Sequence, residues 1–239
     1  MIQYKYPSRG RPGMFLSTLE KYLEYIENPA EWQFDFDVDD LRYNNAAFLS
    51  GLNSIIEIYN RYIKHKWCIN FSDNKTKIQA INSNLQKLFD NTTANILFLV
   101  SDDMIPVVKG FDKIIENDFK ENFPDYNGVL FYNDGFRGNA TNTLVIAGIP
   151  YIKEKGYIYN PQYRSQFADA EYTEVAQREN KSVYINNVIV RHDHPLNVGD
   201  TDKTKEDEIY KRNIQDSAYD QIVYTTRRAN NFKDDYANK

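Results

Sequence analysis

The chain has 239 residues, of which 41% are hydrophobic and 26% charged, and this composition excludes a largely disordered protein. The net charge is −5 and no run of Lys or Arg exceeds two residues, so the sequence lacks the broad basic footprint of a duplex nucleic-acid binder. No apolar stretch is long enough to span a bilayer, and the single cysteine, Cys68, cannot form an internal disulfide, which favours a soluble, cytoplasmic protein.

Residues 1–100 alternate between strand and helix patterns. Predicted strands cover 2–6, 32–38, 67–71 and 96–100, and predicted helices cover 15–26, 45–64 and 76–89. The strand at 32–38 alternates apolar with polar residues, which predicts one apolar face and one acidic edge. The strand at 96–100 is continuously apolar, as is typical of a strand buried on both faces. This order predicts an α/β fold with a mostly parallel, doubly wound sheet flanked by helices.

The second half of the chain has a mixed pattern. Short strands are predicted at 128–132 and 143–147, a helix at 169–179, a strand at 182–190 and a polar helical tail at 201–228. No linker rich in Pro, Gly or Ser separates independent domains. We therefore expect one domain at 1–200, followed by a helical extension at 201–239.

Acidic residues follow the buried strand at 96–100. Ligands of doubly wound sheets bind beyond the carboxyl ends of the strands, where Asp102 and Asp103 lie. One carboxylate there can coordinate a divalent cation on a nucleotide diphosphate, and its neighbour can accept a hydrogen bond from a ribose hydroxyl. The alternative is a helix N-cap before Ile105, since Asp is a favoured capping residue.

One pair of histidines and one further pair of acids are candidate functional residues. His192 and His194 are two residues apart on an extended segment, so both imidazoles point to one side and either can join Asp103 in a metal site. The alternative is a pair of structural histidines. Asp169 and Glu171 open a predicted helix, where a carboxylate can deprotonate a hydroxyl or simply stabilise the first helical turn.

Basic residues near the first and third strand ends are candidates for phosphate binding. The segment at 8–13, SRGRPG, has the spacing of neither a Walker motif nor a dinucleotide fingerprint. It can still hold a base or ribose through Ser8 and backbone groups, with Arg9 or Arg11 near phosphate. Lys77 can counter phosphate charge, or it can be a solvated lysine at a helix start.

The order of these motifs resembles the GT-A fold glycosyltransferases, most closely the large inverting family 2 of bacterial and phage enzymes. The resemblance covers roughly residues 1–195. It is carried by SRGRP at 8–12, DVDD at 37–40, NKTKIQAIN at 74–82 and SDDMIP at 101–106. It implies a Rossmann-like, mostly parallel sheet with a mixed second half.

The resemblance also implies roles for the strand-end acids. Asp39 matches the acid that binds uracil or another nucleobase. Asp103 matches the metal ligand of the family's Asp-x-Asp-like motif, and Asp102 matches the ribose- or metal-side partner. Ser101 stands where the family often has a third acid.

The later motifs receive roles in the same way. Asp169 and Glu171 fall where the family has its catalytic base, and His192 or His194 falls where many GT-A enzymes supply a late metal ligand. Residues 1–104 correspond to a nucleotide-binding half and 105–200 to an acceptor-side half. The extension at 201–239 matches nothing in the family and is open to roles as an acceptor lid, an oligomer contact or a membrane-surface helix.

The sequence thus predicts a metal-dependent inverting glycosyltransferase that uses Mn²⁺ or Mg²⁺. Its expected donor is a nucleotide sugar, with UDP as the expected nucleotide, and its expected acceptor is a hydroxyl of unknown source. The alternatives are a nucleotidyltransferase of similar fold and a non-catalytic module that binds a sugar or nucleotide.

Overall fold

The computed structural model describes residues 1–195, 197–199 and 208–233, apart from the side chains of Tyr210 and Asn213. The strands are β1 (Ile2–Pro7), β2 (Glu31–Asp37), β3 (Lys66–Ser72), β4 (Ile96–Leu99), β5 (Met104–Pro106), β6 (Val129–Tyr132), β7 (Ile146–Gly148), β8 (Ser182–Ile185) and β9 (Val190–His192). The helices are α1 (Pro12–Tyr25), α2 (Ala46–Tyr59), α3 (Lys77–Asn82), α4 (Leu85–Asn91), α5 (Phe111–Asn122), α6 (Ile149–Lys155), α7 (Ala168–Arg178), α8 (Glu208–Gln215) and α9 (Ser217–Ala229).

Seven strands form one mixed sheet in the order β3-β2-β1-β4-β7-β6-β8. The first four of these are parallel to one another, whereas β7 runs antiparallel to both β4 and β6. Strands β5 and β9 form a separate antiparallel pair beside the carboxyl end of β4. The predicted α/β class, with a mostly parallel sheet and a mixed second half, is confirmed.

Each face of the large sheet carries its own hydrophobic cluster. One cluster packs α1, α2 and α5 against the sheet, and the other packs α3, α4, α6 and α7. The ring of Tyr4 stacks on Trp32 with centroids 4.3 Å apart, while Tyr22 and Phe111 meet it edge-on. Each such aromatic pair stabilises the fold by about 0.5–1.5 kcal/mol in addition to the contribution from burying its apolar surface. Much of the aromatic content therefore lies in the core.

Strand β2 differs from its prediction, because it is buried on both faces. Asp35 accepts hydrogen bonds from Lys5 Nζ at 2.7 Å and from Gln33 Nε2 at 2.9 Å. Asn70 and Asn84 donate to the other oxygen of the same carboxylate, at 3.1 and 2.8 Å. Burying this charge is tolerated because an opposite charge and several donors satisfy it.

The predicted helix at 76–89 is broken into α3 and α4. Ser83 is extended and Asn84 adopts a left-handed conformation with φ of 56°. The break turns the Ser83 carbonyl towards Lys5 Nζ, at 2.7 Å, and brings the Asn84 side chain to Asp35. The requirements of the buried ion pair thus override the helical periodicity of the sequence.

Other differences concern element ends. The predicted strand at 182–190 is two strands, since β8 joins the large sheet and β9 pairs with β5. Helix α2 ends at Tyr59, earlier than predicted, and helices α5 and α6 were not predicted. The helical pattern of the tail is confirmed over α8 and α9, whereas 201–207 lie outside the described residues. Of the helices in the described ranges, none has both the length and the apolar composition needed to cross a membrane.

Two glycines give a matched test of packing. A Cβ on Gly148, at the junction of β7 and α6, would lie 1.5 Å from the carbonyl oxygen of Tyr126, whereas a Cβ on Gly51 in α2 meets nothing within 4 Å. We expect Gly148→Ala to reduce the free energy of unfolding by about 3 kcal/mol. We expect Gly51→Ala to raise it by about 0.5–1 kcal/mol, because alanine favours a helix. Urea unfolding measures both, and equal midpoints for the two variants would contradict this packing.

Candidate functional site

A cleft of about 550 Å³ opens at the carboxyl ends of β1, β2 and β4. Strand β1 pairs with β2 on one side and β4 on the other, so the connections diverge at this point of the sheet. Such a switch point is where open α/β sheets bind their ligands. Nine of the residues singled out in the sequence line the cleft: Ser8, Arg9, Arg11, Lys77, Asp102, Asp103, Asp169, His192 and His194.

Asp102 connects the turn after β4 to the end of β1. Its carboxylate accepts hydrogen bonds from Tyr6 Oη at 2.9 Å and from Ser8 Oγ at 2.9 Å, and its carbonyl accepts one from Thr18 Oγ1 at 2.7 Å. Burial raises the pKa of Asp102 to about 7, although the hydrogen bonds from Ser8 and Tyr6 oppose this increase. Because β5 follows the turn, the alternative of a helix cap is excluded.

Asp103 faces the opposite way, towards β9. The pairing of β5 with β9 sets Met104 opposite His192 and leaves His192 Nε2 3.6 Å from Asp103 Oδ1. Ser101 Oγ donates to the same oxygen at 2.7 Å. Burial alone would raise the pKa of Asp103, but the nearby His192 and the Ser101 hydroxyl outweigh it and hold this pKa well below its usual range. The carboxylate is therefore ionised at neutral pH.

The two histidines lie on the same side of the cleft. Their ring centroids are 5.9 Å apart, and His192 Nδ1 lies 4.0 Å from the buried carboxylate of Asp134. Burial lowers the pKa of His194 to about 4, so this imidazole is neutral at physiological pH. Carboxylate oxygen is a donor suited to Mn²⁺, and neutral imidazole is a common donor to divalent transition metals.

The donor set around Asp103 fits a divalent cation that also binds phosphate oxygens. Within the part of the chain that the structure describes, no group of three His, Cys, Asp or Glu side chains is gathered closely enough to hold a metal by itself. Asp103 and the Nε2 atom of His192 are two adjacent donors of suitable chemistry. Mg²⁺ is commonly held by one or two carboxylates together with substrate phosphates.

Asp169 and Glu171 have different surroundings. Asp169 lies half-buried in the first turn of α7 and lines the cleft. Glu171 lies outside the cleft and is buried, where it accepts hydrogen bonds from Arg227 Nε at 2.7 Å, Arg227 Nη2 at 2.8 Å and Tyr163 Oη at 2.7 Å. The carboxylate of Glu171 is thus fully engaged, and of the two acids Asp169 is the one that lines the cleft.

The acids after β2 are arranged differently from the prediction. Asp39 is exposed, does not line the cleft, and holds Arg9 through bonds of 2.6 and 3.0 Å. Asp37 is buried and lines the cleft, where it accepts hydrogen bonds from Arg9 at 2.6 Å and Asn74 Nδ2 at 2.8 Å. The sequence signal for Asp37 was its place as the last residue of the strand.

Cationic side chains also face the cleft. Lys77, Arg137 and Arg212 line it, and none of the three forms a salt bridge with a carboxylate of the described residues, although Lys77 acts on Asp103 at longer range. Arg137 and Arg212 were missed in the sequence, because one lies in a loop without a recognisable motif and the other lies in the tail. Cationic side chains that are not paired in salt bridges favour an anionic ligand in the cleft.

No protein-family model matches this chain, and no curated protein matches its sequence. Solved structures do match it. TarS 1–349 from S. aureus superposes with a TM-score of 0.57 and 12% identity over 82% of this chain and 61% of that one. TarS 1–349 in complex with UDP gives a TM-score of 0.54 at 12% identity, covering 79% of this chain and 59% of that one. The complex of TarS 1–349 with UDP-GlcNAc gives a TM-score of 0.52 at 12% identity, covering 79% of this chain and 57% of that one.

The chain therefore spans less than two thirds of the TarS fragment. At these identities the likeness establishes the fold, and this chain has the GT-A type fold expected from its motifs.

The contrast between Asp169 and Glu171 predicts opposite effects on stability. We expect Glu171→Gln to reduce the free energy of unfolding by about 3–5 kcal/mol, since it removes the negative charge from a buried ion pair with Arg227. We expect Asp169→Asn to change it by less than about 0.5 kcal/mol, as is usual for partly exposed polar sites. Chemical denaturation compares the two variants, and equal stabilities would show that Glu171 is not fixed in this pair.

Proposed function

We propose that this protein is a glycosyltransferase that moves a monosaccharide from a nucleotide sugar, with UDP as the expected nucleotide, to a hydroxyl acceptor. The observation that carries the proposal is the Asp102–Asp103 turn, which opens into a cleft at the switch point of a GT-A type sheet. The structures of TarS with UDP and with UDP-GlcNAc support a nucleotide-sugar donor.

The donor's nucleoside is assigned to the loops after β1, β2 and β3. Ser8 and Asp37 line this part of the cleft and offer hydrogen-bonding groups for a base or ribose. Arg9 is held by Asp37 and Asp39, so its role is to order the loop after β1 around the nucleoside. Arg11 and Lys77 provide positive charge for the diphosphate.

We assign the metal site to Asp103 together with His192 or His194, with Mn²⁺ or Mg²⁺ as the ion. When bound, the cation supplies Lewis-acid stabilisation of the departing diphosphate. The contribution of the chain is to hold Asp103 ionised and in place through Ser101, and to bring His192 against it through the β5–β9 pairing.

Asp169 is assigned as the base in an inverting transfer. Its carboxylate accepts the proton of the acceptor hydroxyl. The acceptor oxygen then forms a bond to the anomeric carbon as the bond from that carbon to the diphosphate oxygen breaks, and the nucleoside diphosphate leaves. The placement of Asp169 on α7, across the cleft from the β1 loop, supports an acceptor site on the side of the second half.

Ligand binding separates this function from its alternatives. We expect thermal stabilisation by UDP with Mn²⁺ and none by nucleoside triphosphates, because free energy of binding adds to that of folding. Stabilisation by triphosphates alone would favour a nucleotidyltransferase. UDP binding without any release of UDP from a UDP-sugar would favour a non-catalytic module.

The first activity prediction concerns Asp103. We expect Asp103→Asn to abolish the Mn²⁺-dependent release of UDP from a UDP-sugar while leaving the fold intact, because the carboxylate charge is what holds the cation. Asp193→Asn is the matched control, since Asp193 pairs with Arg191 and does not line the cleft. Unchanged turnover in Asp103→Asn would remove Asp103 from the metal site.

The second activity prediction concerns Asp169. We expect Asp169→Asn to lower UDP-sugar hydrolysis by about 10²–10⁴-fold, the usual contribution of a general base, with UDP affinity unchanged. Glu154→Gln, an exposed acid on α6, serves as the control. A loss of UDP affinity that matches the loss of rate would assign Asp169 to donor binding instead.

A further inference from the structure

The C-terminal helices α8 and α9, together called the strap, are not used by the function proposed above. They follow the second half in sequence, but they contact both sides of the cleft. Three side chains of α8 line the cleft itself, namely Ile209, Arg212 and Ile214. The strap is therefore part of the cleft wall.

One end of the strap is fixed by Asp220 of α9. This side chain is fully buried, and its carboxylate accepts hydrogen bonds from the backbone N–H groups of Arg164 at 2.9 Å, Ser165 at 2.8 Å and Gln166 at 2.7 Å. Ser165 and Gln166 line the cleft immediately before α7. A carboxylate that satisfies three consecutive amides holds their loop in a single conformation.

A second anchor joins α9 to α7. Arg227 and Glu171 form the buried, two-bond ion pair described above, and Phe167 stacks on Tyr224 with ring centroids 5.5 Å apart. Both contacts lie at the start of α7, beside Asp169. Helix α9 is thus fixed to the acceptor side of the cleft.

Helix α8 lies on the donor side. A Cβ on Gly10, in the loop after β1, would lie 3.1 Å from Ile209 Cδ1, so the helix packs directly against that loop. The guanidinium of Arg212 donates a hydrogen bond to the carbonyl of Lys75, in the loop after β3. Helix α8 therefore bridges the two loops between which the nucleoside is assigned.

The charge of Arg212 is directed at this site. Among the described residues its guanidinium has the Lys75 carbonyl as a hydrogen-bond acceptor and no carboxylate partner. Arginine carries five N–H donors, and among the described residues one hydrogen bond from this guanidinium is formed, to Lys75. Lys77, which also lines the cleft, lies two residues beyond that carbonyl. A planar guanidinium next to a lysine suits the oxygens of a diphosphate.

We propose that α8 forms the roof of the donor site, in which Arg212 binds the diphosphate and Ile209 covers the nucleoside. The anchors at Asp220 and Arg227 hold this roof to the acceptor side. The inference rests on the proposed function, because it requires a nucleoside diphosphate in the cleft.

The binding test uses UDP with Mn²⁺, measured by isothermal titration calorimetry on the full chain. We expect Arg212→Ala to weaken UDP binding by about tenfold or more, the usual effect of losing a charge-assisted hydrogen bond. Lys211→Ala is the matched control, because it removes the same charge from an exposed position of the same helix, and we expect it to bind like the wild type. Ile209→Ala should also weaken binding, whereas Ile222→Ala, at an exposed position of α9, should not.

Hydrogen exchange provides a second measurement, which reports on the backbone of α8 and not on UDP affinity alone. We expect UDP to slow backbone exchange over 208–215 in the wild type and not in Arg212→Ala. Suppose that the wild type binds UDP, that Arg212→Ala binds it equally well, and that backbone exchange over 208–215 is not slowed. The proposal that α8 covers the donor site is then wrong, and the proposed function is kept. If the wild type does not bind UDP at all, both the proposed function and the roof are overturned.

Discussion

The hydrogen bonds that Asp102 accepts from Tyr6 and Ser8 determine how the cleft is built. They join the end of β1 to the turn after β4. Strands β1 and β4 are neighbours in the sheet, but the bonded residues are 94 or more positions apart in the chain. With this carboxylate committed to β1, the chain turns so that the next residue points across the cleft to β9. The proposed nucleoside side and the proposed metal side of the cleft therefore meet at the peptide bond between Asp102 and Asp103.

Adjacent aspartates in one turn have opposite electrostatic environments. Asp102 is surrounded by neutral hydroxyls in a buried position, and its pKa is raised. Asp103 is near an imidazole and a serine hydroxyl, and its pKa is lowered. A difference of this kind between neighbouring carboxyls is typical of sites where two acids have different tasks. Here Asp102 joins β1, α1 and the turn through its hydrogen bonds, whereas Asp103 is the proposed metal ligand.

The sequence was sufficient for the existence of the parallel strands β1 to β4 and for the position of the acidic turn. Alternation in β1 and the continuous apolar run of β4 depend on local burial, which periodicity reports directly. The break between α3 and α4 was not predictable, because its cause is Lys5, on a strand distant in sequence. The buried ion pair of Glu171 was also not predictable from the sequence, since its partner Arg227 lies 56 residues later. The choice between Asp37 and Asp39 depends on the direction of the loop after β2, which sequence spacing does not fix.

The anchoring of the strap also bears on how the protein folds during synthesis. The loop at 164–166 depends on Asp220 for three of its backbone hydrogen bonds, and α7 depends on Arg227 for the charge that compensates Glu171. A growing chain that ends before these residues has the large sheet but lacks the partners that order this wall of the cleft. Domains generally fold from the N-terminus as they are made, and contacts between distant residues form late. The residues of the large sheet therefore leave the ribosome before Asp220 and Arg227, and the contacts that order this wall of the cleft are the last to be completed.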